Sequence, residues 1–324
     1  MFILYTGLNT GSSDFLFIME RFLIFPTVFL AILASFGFAW VVDFVKKKQV
    51  SWLLLILPLA MFLLNFHQVN QRDNYFGYFL AEDLFQTVPQ ESILLIEGDA
   101  KVGVAFYWQR ALGKRNDVKV IVANFLVSNE DWYRQQIRQD FPEIVIPEKL
   151  ENRQQFMDEF IITNHQNYPV ISAMRVLRRE IGIETMAETV GLTENFLIEP
   201  RKITAIEAEE KIDKNMANYQ NLIHKKDYPL GAVESILLGE YAYPYIRLAN
   251  DYFSHGLLDE AERLYWKALE VAPNNYYTYA DLGDIYATRG NRGKAIEYWQ
   301  KFVDTNPYYF RADEVREKIP KLSL

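Results

Sequence analysis

Hydrophobic positions divide this chain into an apolar start and a long patterned remainder. Phe22 to Val42 is uncharged for 21 residues, enough for a helix to cross a hydrocarbon core of about 30 Å. Pro26 falls in its first turn, where a missing N–H costs little. Val50 to Phe66 is a second uncharged run, and Lys46, Lys47 and Lys48 lie between the two, flanked by Trp40 and Trp52. The pattern predicts two transmembrane helices, about 22–43 and 50–66, with the basic loop cytoplasmic and the N-terminus and everything after His67 extracytoplasmic. The expected partner of this region is the lipid bilayer. Met1 to Tyr5 is apolar but has no basic residues before it, so it is a poor signal peptide. It reads as the tail of an earlier helix, and the chain as the C-terminal piece of a longer protein.

From Asn70 the period changes. Tyr75, Phe79, Leu80 and Leu84 recur at helical spacing, and Pro89 ends that helix. Short apolar runs at 92–96, 118–123, 143–146 and 169–173 read as strands, the first closed by Gly98-Asp99. Helical patterns at 102–112, 132–140 and 152–164 alternate with them; in the last, Phe156, Phe160 and Ile161 point inward. Alternation of this kind predicts an α/β domain over 70–200 with a mostly parallel sheet. Ligands of such sheets sit beyond the strands' carboxyl ends, which makes Gly98, Asp99 and Asn124 candidates, although a Gly-Asp pair after a strand is more commonly a turn with a helix N-cap.

Residues 201–227 mix both charges on a helical pattern and predict a solvated linker helix, 201–241. Beyond it the sequence repeats at 34 residues. Tyr245 recurs as Tyr279, Leu248 as Leu282, Ala249 as Gly283 and Tyr252 as Tyr286. Ala261 recurs as Ala295, Tyr265 as Trp299 and Pro273 as Pro307. Small residues fall where two helices cross, and the prolines fall at helix ends. The register resembles the tetratricopeptide pattern. It predicts an all-α solenoid over 242–324, with units at 242–275 and 276–309 and a capping helix from Phe310 to Ile319. Such a surface would bind a protein or peptide. Tyr276, Tyr277, Tyr308 and Tyr309 either line it or pack between helices.

Composition narrows the chemistry. With no cysteine among 324 residues there is no disulfide framework, thiolate metal site or cysteine nucleophile. The four histidines are scattered, so no metal site is expected, and a net charge of −8 argues against nucleic acid. Gly98 to Gly103 fits neither phosphate-binding glycine pattern. A mean hydropathy of −0.10 averages an apolar start with a polar remainder.

Several short motifs share an order. Glu20-Arg21 leads into the Pro26 run, and Gly98-Asp99 follows the first strand. Tyr107 and Gln109 come next, then Arg115 and Asp117 before the second strand, Asn124 after it, and Trp132-Tyr133. Together they resemble the C-terminal half of the transmembrane protein O-mannosyltransferase-like family, over roughly residues 10–200. The resemblance implies a polyprenyl-phosphate sugar donor, an outward-facing acceptor site and C-terminal tetratricopeptide repeats. It also places the family's presumed catalytic carboxylate in a first external loop with no counterpart here, so no catalytic residue carries over. Two readings stay open: the non-catalytic portion of a membrane glycosyltransferase, or a membrane-anchored scaffold without catalysis. A soluble α/β enzyme is weaker, because residues 70–200 show no catalytic constellation.

Overall fold

The computed structural model describes residues 28–37, 39, 40, 43, 56–70, 72–128, 131–148, 152–174, 186–197, 205–226, 232–305 and 310–323. The chain forms two compact units, Met1–Asn74 and Tyr75–Leu324.

In the first unit, residues 28–37 are helical and α1 spans Ile56–Val69. At about 1.5 Å per residue, the 14 residues of α1 extend about 21 Å, short of a hydrocarbon core. Among the described residues no helix is long and apolar enough to cross a membrane. That corrects the prediction of two transmembrane helices, and with it the integral-membrane placement with extracytoplasmic C-terminal domains. Much of both apolar runs, the Lys46–Lys48 loop, Glu20 and Arg21 lie outside the described residues. Phe29, Leu33, Phe36, Leu63 and Leu64 are exposed.

The second unit is built on a five-stranded sheet in the order β2-β1-β3-β5-β4. After α2 (Phe76–Gln86) the chain enters β1 (Ile93–Ile96), whose four residues are all buried, as a central strand covered on both faces requires. Helix α3 (Asp99–Phe106) and a π-helical turn (Tyr107–Ala111) lead to β2 (Lys119–Val122), parallel to β1. Helices α4 (Ala123–Val127), α5 (Asp131–Asp140) and α6 (Arg153–His165) carry the chain to β3 (Val170–Ala173), parallel to β1 on its other side. Phe156, Phe160 and Ile161 are buried, as their spacing predicts.

Two sheet expectations are corrected. The sheet is mixed, because β4 (Met186–Thr189) and β5 (Glu194–Leu197) add an antiparallel hairpin to β3. Residues 143–146 form no strand. The Asn164 side-chain amide takes the Val145 N–H at 2.9 Å and donates to the Val145 carbonyl at 2.7 Å. A buried side chain thus satisfies the backbone groups a sheet ladder would otherwise pair.

The C-terminal part is helical: α7 (Ala205–Met216), α8 (Gln220–His224), α9 (Ala232–Ser254), α10 (Leu258–Val271), α11 (Tyr277–Thr288), α12 (Arg292–Thr305) and α13 (Phe310–Ser323). Leu248, Ala249, Tyr252, Ala261, Leu282, Gly283, Tyr286 and Ala295 are all buried here. A Cβ on Gly283 would collide with the Trp299 indole, so α11 and α12 approach too closely there for any larger side chain. Helix α10 ends at Val271, just before Pro273; Pro307, Tyr308 and Tyr309 lie outside the described residues.

The helices do not constitute a tetratricopeptide solenoid, and that expectation is corrected. A solenoid unit rests only on its neighbours. Here Leu238, Tyr241, Ala249 and Leu264 of the first hairpin share one core with Phe76 and Leu80 of α2 and with Ile212, Met216 and Tyr219. The segment predicted as a solvated linker is therefore partly core. Its Glu209 is also tied down, held to a pKa of about 2 chiefly by the hydrogen bond from Arg263, with Lys267 at 2.9 Å.

Candidate functional site

The motif residues fall at two opposite ends of the sheet. Gln109, Arg115 and Asp117 lie at the amino end. Gln109 Nε2 donates to the Arg115 and Val118 carbonyls at 2.8 and 2.7 Å. The Arg115 guanidinium donates to the carbonyls of Phe85, Val88 and Pro89 and pairs with Asp117 at 3.0 Å. The hydrogen bond from Arg115 holds the Asp117 carboxyl below the usual carboxylate range. This arrangement staples the end of α2 to the start of β2, which is a structural task. Arg115→Ala is expected to lower stability by about 2 kcal/mol, by removing the donor to three carbonyls. Arg115→Lys should not rescue it, because an ammonium cannot span the same fork of acceptors. Urea unfolding of the two variants checks this; recovery by lysine would contradict the geometry.

Gly98, Asp99, Asn124, Trp132 and Tyr133 lie at the carboxyl end. Gly98 takes φ 85°, open to glycine at no steric cost, and turns β1 into α3, with Asp99 in the first turn. Gly98 occupies the N-cap position of α3, and no side chain caps that helix start. Asn124 is the second residue of α4, just after β2, and its Oδ1 accepts from Arg153 Nη2 at 3.1 Å. Arg153 in turn lies 3.7 Å from Glu97, at the end of β1. Tyr133 is buried, and its hydroxyl takes the Val122 N–H at 2.7 Å; burial raises its pKa. Trp132 and Phe125 pack on it and stay about half exposed. Tyr107 is exposed on the π-helical turn.

The same end of the sheet contains a small cleft, lined among others by Lys101, Ala173, Gly191, Glu194 and Glu240. It lies between the carboxyl end of β3, the β4–β5 hairpin, the first turn of α3 and α9. Lys101, from the first turn of α3, fills it. Its buried Nζ donates to the Ala173 carbonyl at 2.6 Å and to Glu240 Oε2, on α9, at 3.0 Å. A second buried pair, Arg247 with Glu194, stands beside it, and Thr189 donates to Glu194 at 3.1 Å. The two cations and two carboxylates neutralise each other, so the cleft attracts neither sign strongly. Among the described residues no group of three or more His, Cys, Asp or Glu is placed to share a metal ion.

Sequence reasoning did not single out Glu240, Glu194 or Arg247. Lys101 and Glu240 are 139 positions apart, and no local spacing links them.

No protein-family model matches the chain. Its similarity is to a glycosyltransferase, at a distance. That relative is the protein O-mannosyl-transferase TMEM260 of Mus musculus, 25% identical over 149 residues, which is 44% of this chain and 21% of the relative. The chain thus spans about a fifth of the curated relative it matches.

Proposed function

We propose that this chain serves a protein O-glycosylating system as a non-catalytic, polypeptide-facing part. The observation that carries this reading is the similarity to a protein O-mannosyl-transferase over 44% of the chain. The chemistry of the sheet's carboxyl end agrees with it. Lys101 is paired with Glu240, and Arg247 with Glu194, inside the fold. In this reading a polyprenyl-phosphate sugar, the donor implied by the family resemblance, is handled by another part of the system. The helices from α9 onward offer the surface for the acceptor or a partner protein.

Cells from which this chain has been deleted should lose O-linked hexose from a subset of their glycoproteins, measured as site occupancy by mass spectrometry, and regain it on complementation. An unchanged O-glycoproteome would sink the proposal.

A further inference from the structure

We infer that the carboxyl edge over β1 and β2 is a hexose-binding platform, built from the exposed rings of Phe125 and Trp132 and the amide of Asn124. The choice of a hexose rests on the reading of the chain as part of an O-glycosylating system; the shape and chemistry of the platform come from the residues.

Trp132 is 57% exposed and Phe125 45% exposed, and the two rings pack on each other at a tilt of 55°. Their ring centroids lie 5.7 Å apart, and each packs within 5.6 Å of Tyr133. Tyr133 is itself anchored by its hydroxyl on the Val122 N–H. Large rings held in water at the ligand end of an α/β sheet cost free energy unless something covers them. A pyranose has one face of C–H groups, which suits the negative face of an aromatic ring, and a rim of hydroxyls.

The rim has its counterpart next door. Asn124 adjoins Phe125 in the chain, and its Oδ1 is engaged by Arg153, which orients the amide and leaves its Nδ2 donors unspent on that bond. Arg153 also lies 3.7 Å from Glu97, which helps hold its guanidinium in place. An exposed aromatic face beside an oriented amide suits the C–H face and hydroxyl rim of a polyol.

The test is saturation-transfer NMR on the full chain. The probes are methyl α-D-mannopyranoside, a threonine-containing peptide carrying one α-mannose, and the same peptide unmodified. Saturation should reach the pyranose ring protons of both sugar probes, and the unmodified peptide should give no comparable signal. Trp132→Ala should weaken binding of the mannosyl peptide by about tenfold. Trp132→Phe should retain most of it, and Asn124→Ala should weaken it without changing the melting temperature. Equal binding of the two peptides, no transfer to the sugar, or full binding by Trp132→Ala would each overturn the platform. If the sugar binds while deletion leaves cellular O-hexose intact, the glycosylation role fails and the platform stands. If deletion removes O-hexose while no sugar binds, only the platform falls.

Discussion

Asp83→Ala is expected to cost about 4 kcal/mol at neutral pH, within the range for removing one member of a buried charged network. Asp83 is 1% exposed. Its carboxylate accepts from the backbone N–H of Gln220 at 2.5 Å and of Asn221 at 3.1 Å, and from the Tyr241 hydroxyl at 2.8 Å. The Asn221 amide adds bonds to Tyr241 and to the Phe76 carbonyl. One side chain thus joins α2, α8 and α9, and alanine would leave three buried donors without an acceptor. Urea unfolding at pH 7 measures the loss, and a cost under about 1 kcal/mol would contradict the network.

The same group gives a pH signature. Burial pushes the Asp83 pKa up to about 6, against its hydrogen bonds, which lower it. Between about pH 4 and 6 the folded state keeps a proton that the unfolded chain has released. The stability this contributes is fully present below about pH 4 and lost as pH rises through 6. About two pKa units correspond to about 3 kcal/mol. Asp83→Asn cannot titrate, so the advantage of the natural chain over this variant should shrink from pH 4 to pH 7. A constant difference across that window would show that Asp83 keeps an ordinary pKa in the fold.

Gly191→Ala is expected to cost a similar amount, about 4 kcal/mol, through two independent terms. Gly191 sits in the β4–β5 turn at φ 146°, where a side chain brings about 1–3 kcal/mol of backbone strain. Its Cβ would also collide with the Tyr219 hydroxyl. Tyr219 cannot retreat: it is fully buried in the second core, and its hydroxyl takes the Leu192 N–H at 3.0 Å. Displacing such a ring adds the usual overpacking cost of about 1–3 kcal/mol. Thermal unfolding of Gly191→Ala at a level close to the natural chain would show that the turn has another conformation.

Much of the sheet's parallel half was legible because its signals are local. β1, β2 and β3 are short apolar runs closed by turn residues, and α6 shows its inward face at helical spacing. The failures share one cause. Residues 143–146 carry a strand pattern, but Asn164, 19 positions on, takes their backbone bonds. The 34-residue repeat does mark real helix pairs, since α10 and α12 both span 14 residues and begin at 258 and 292, a separation of 34. It could not show that the first pair is built into the core of α2. The apolar start met the length rule for a membrane span as a sequence, and the described helices there do not meet it. At the candidate site the sequence supplied Gly98, Asp99, Asn124, Trp132 and Tyr133 but not the pairs beside them.

The sequence by itself determined the three parallel strands and the inward face of α6, and where the candidate ligand end of the sheet lies, because side-chain period and turn chemistry act over a few residues. Only the tertiary structure decided that the hairpin β4–β5 closes the sheet antiparallel, that Lys101 meets Glu240 across 139 positions, and that Phe125 and Trp132 stand together in water. Those facts depend on which buried charges and rings find partners when distant segments pack, and no local spacing encodes them.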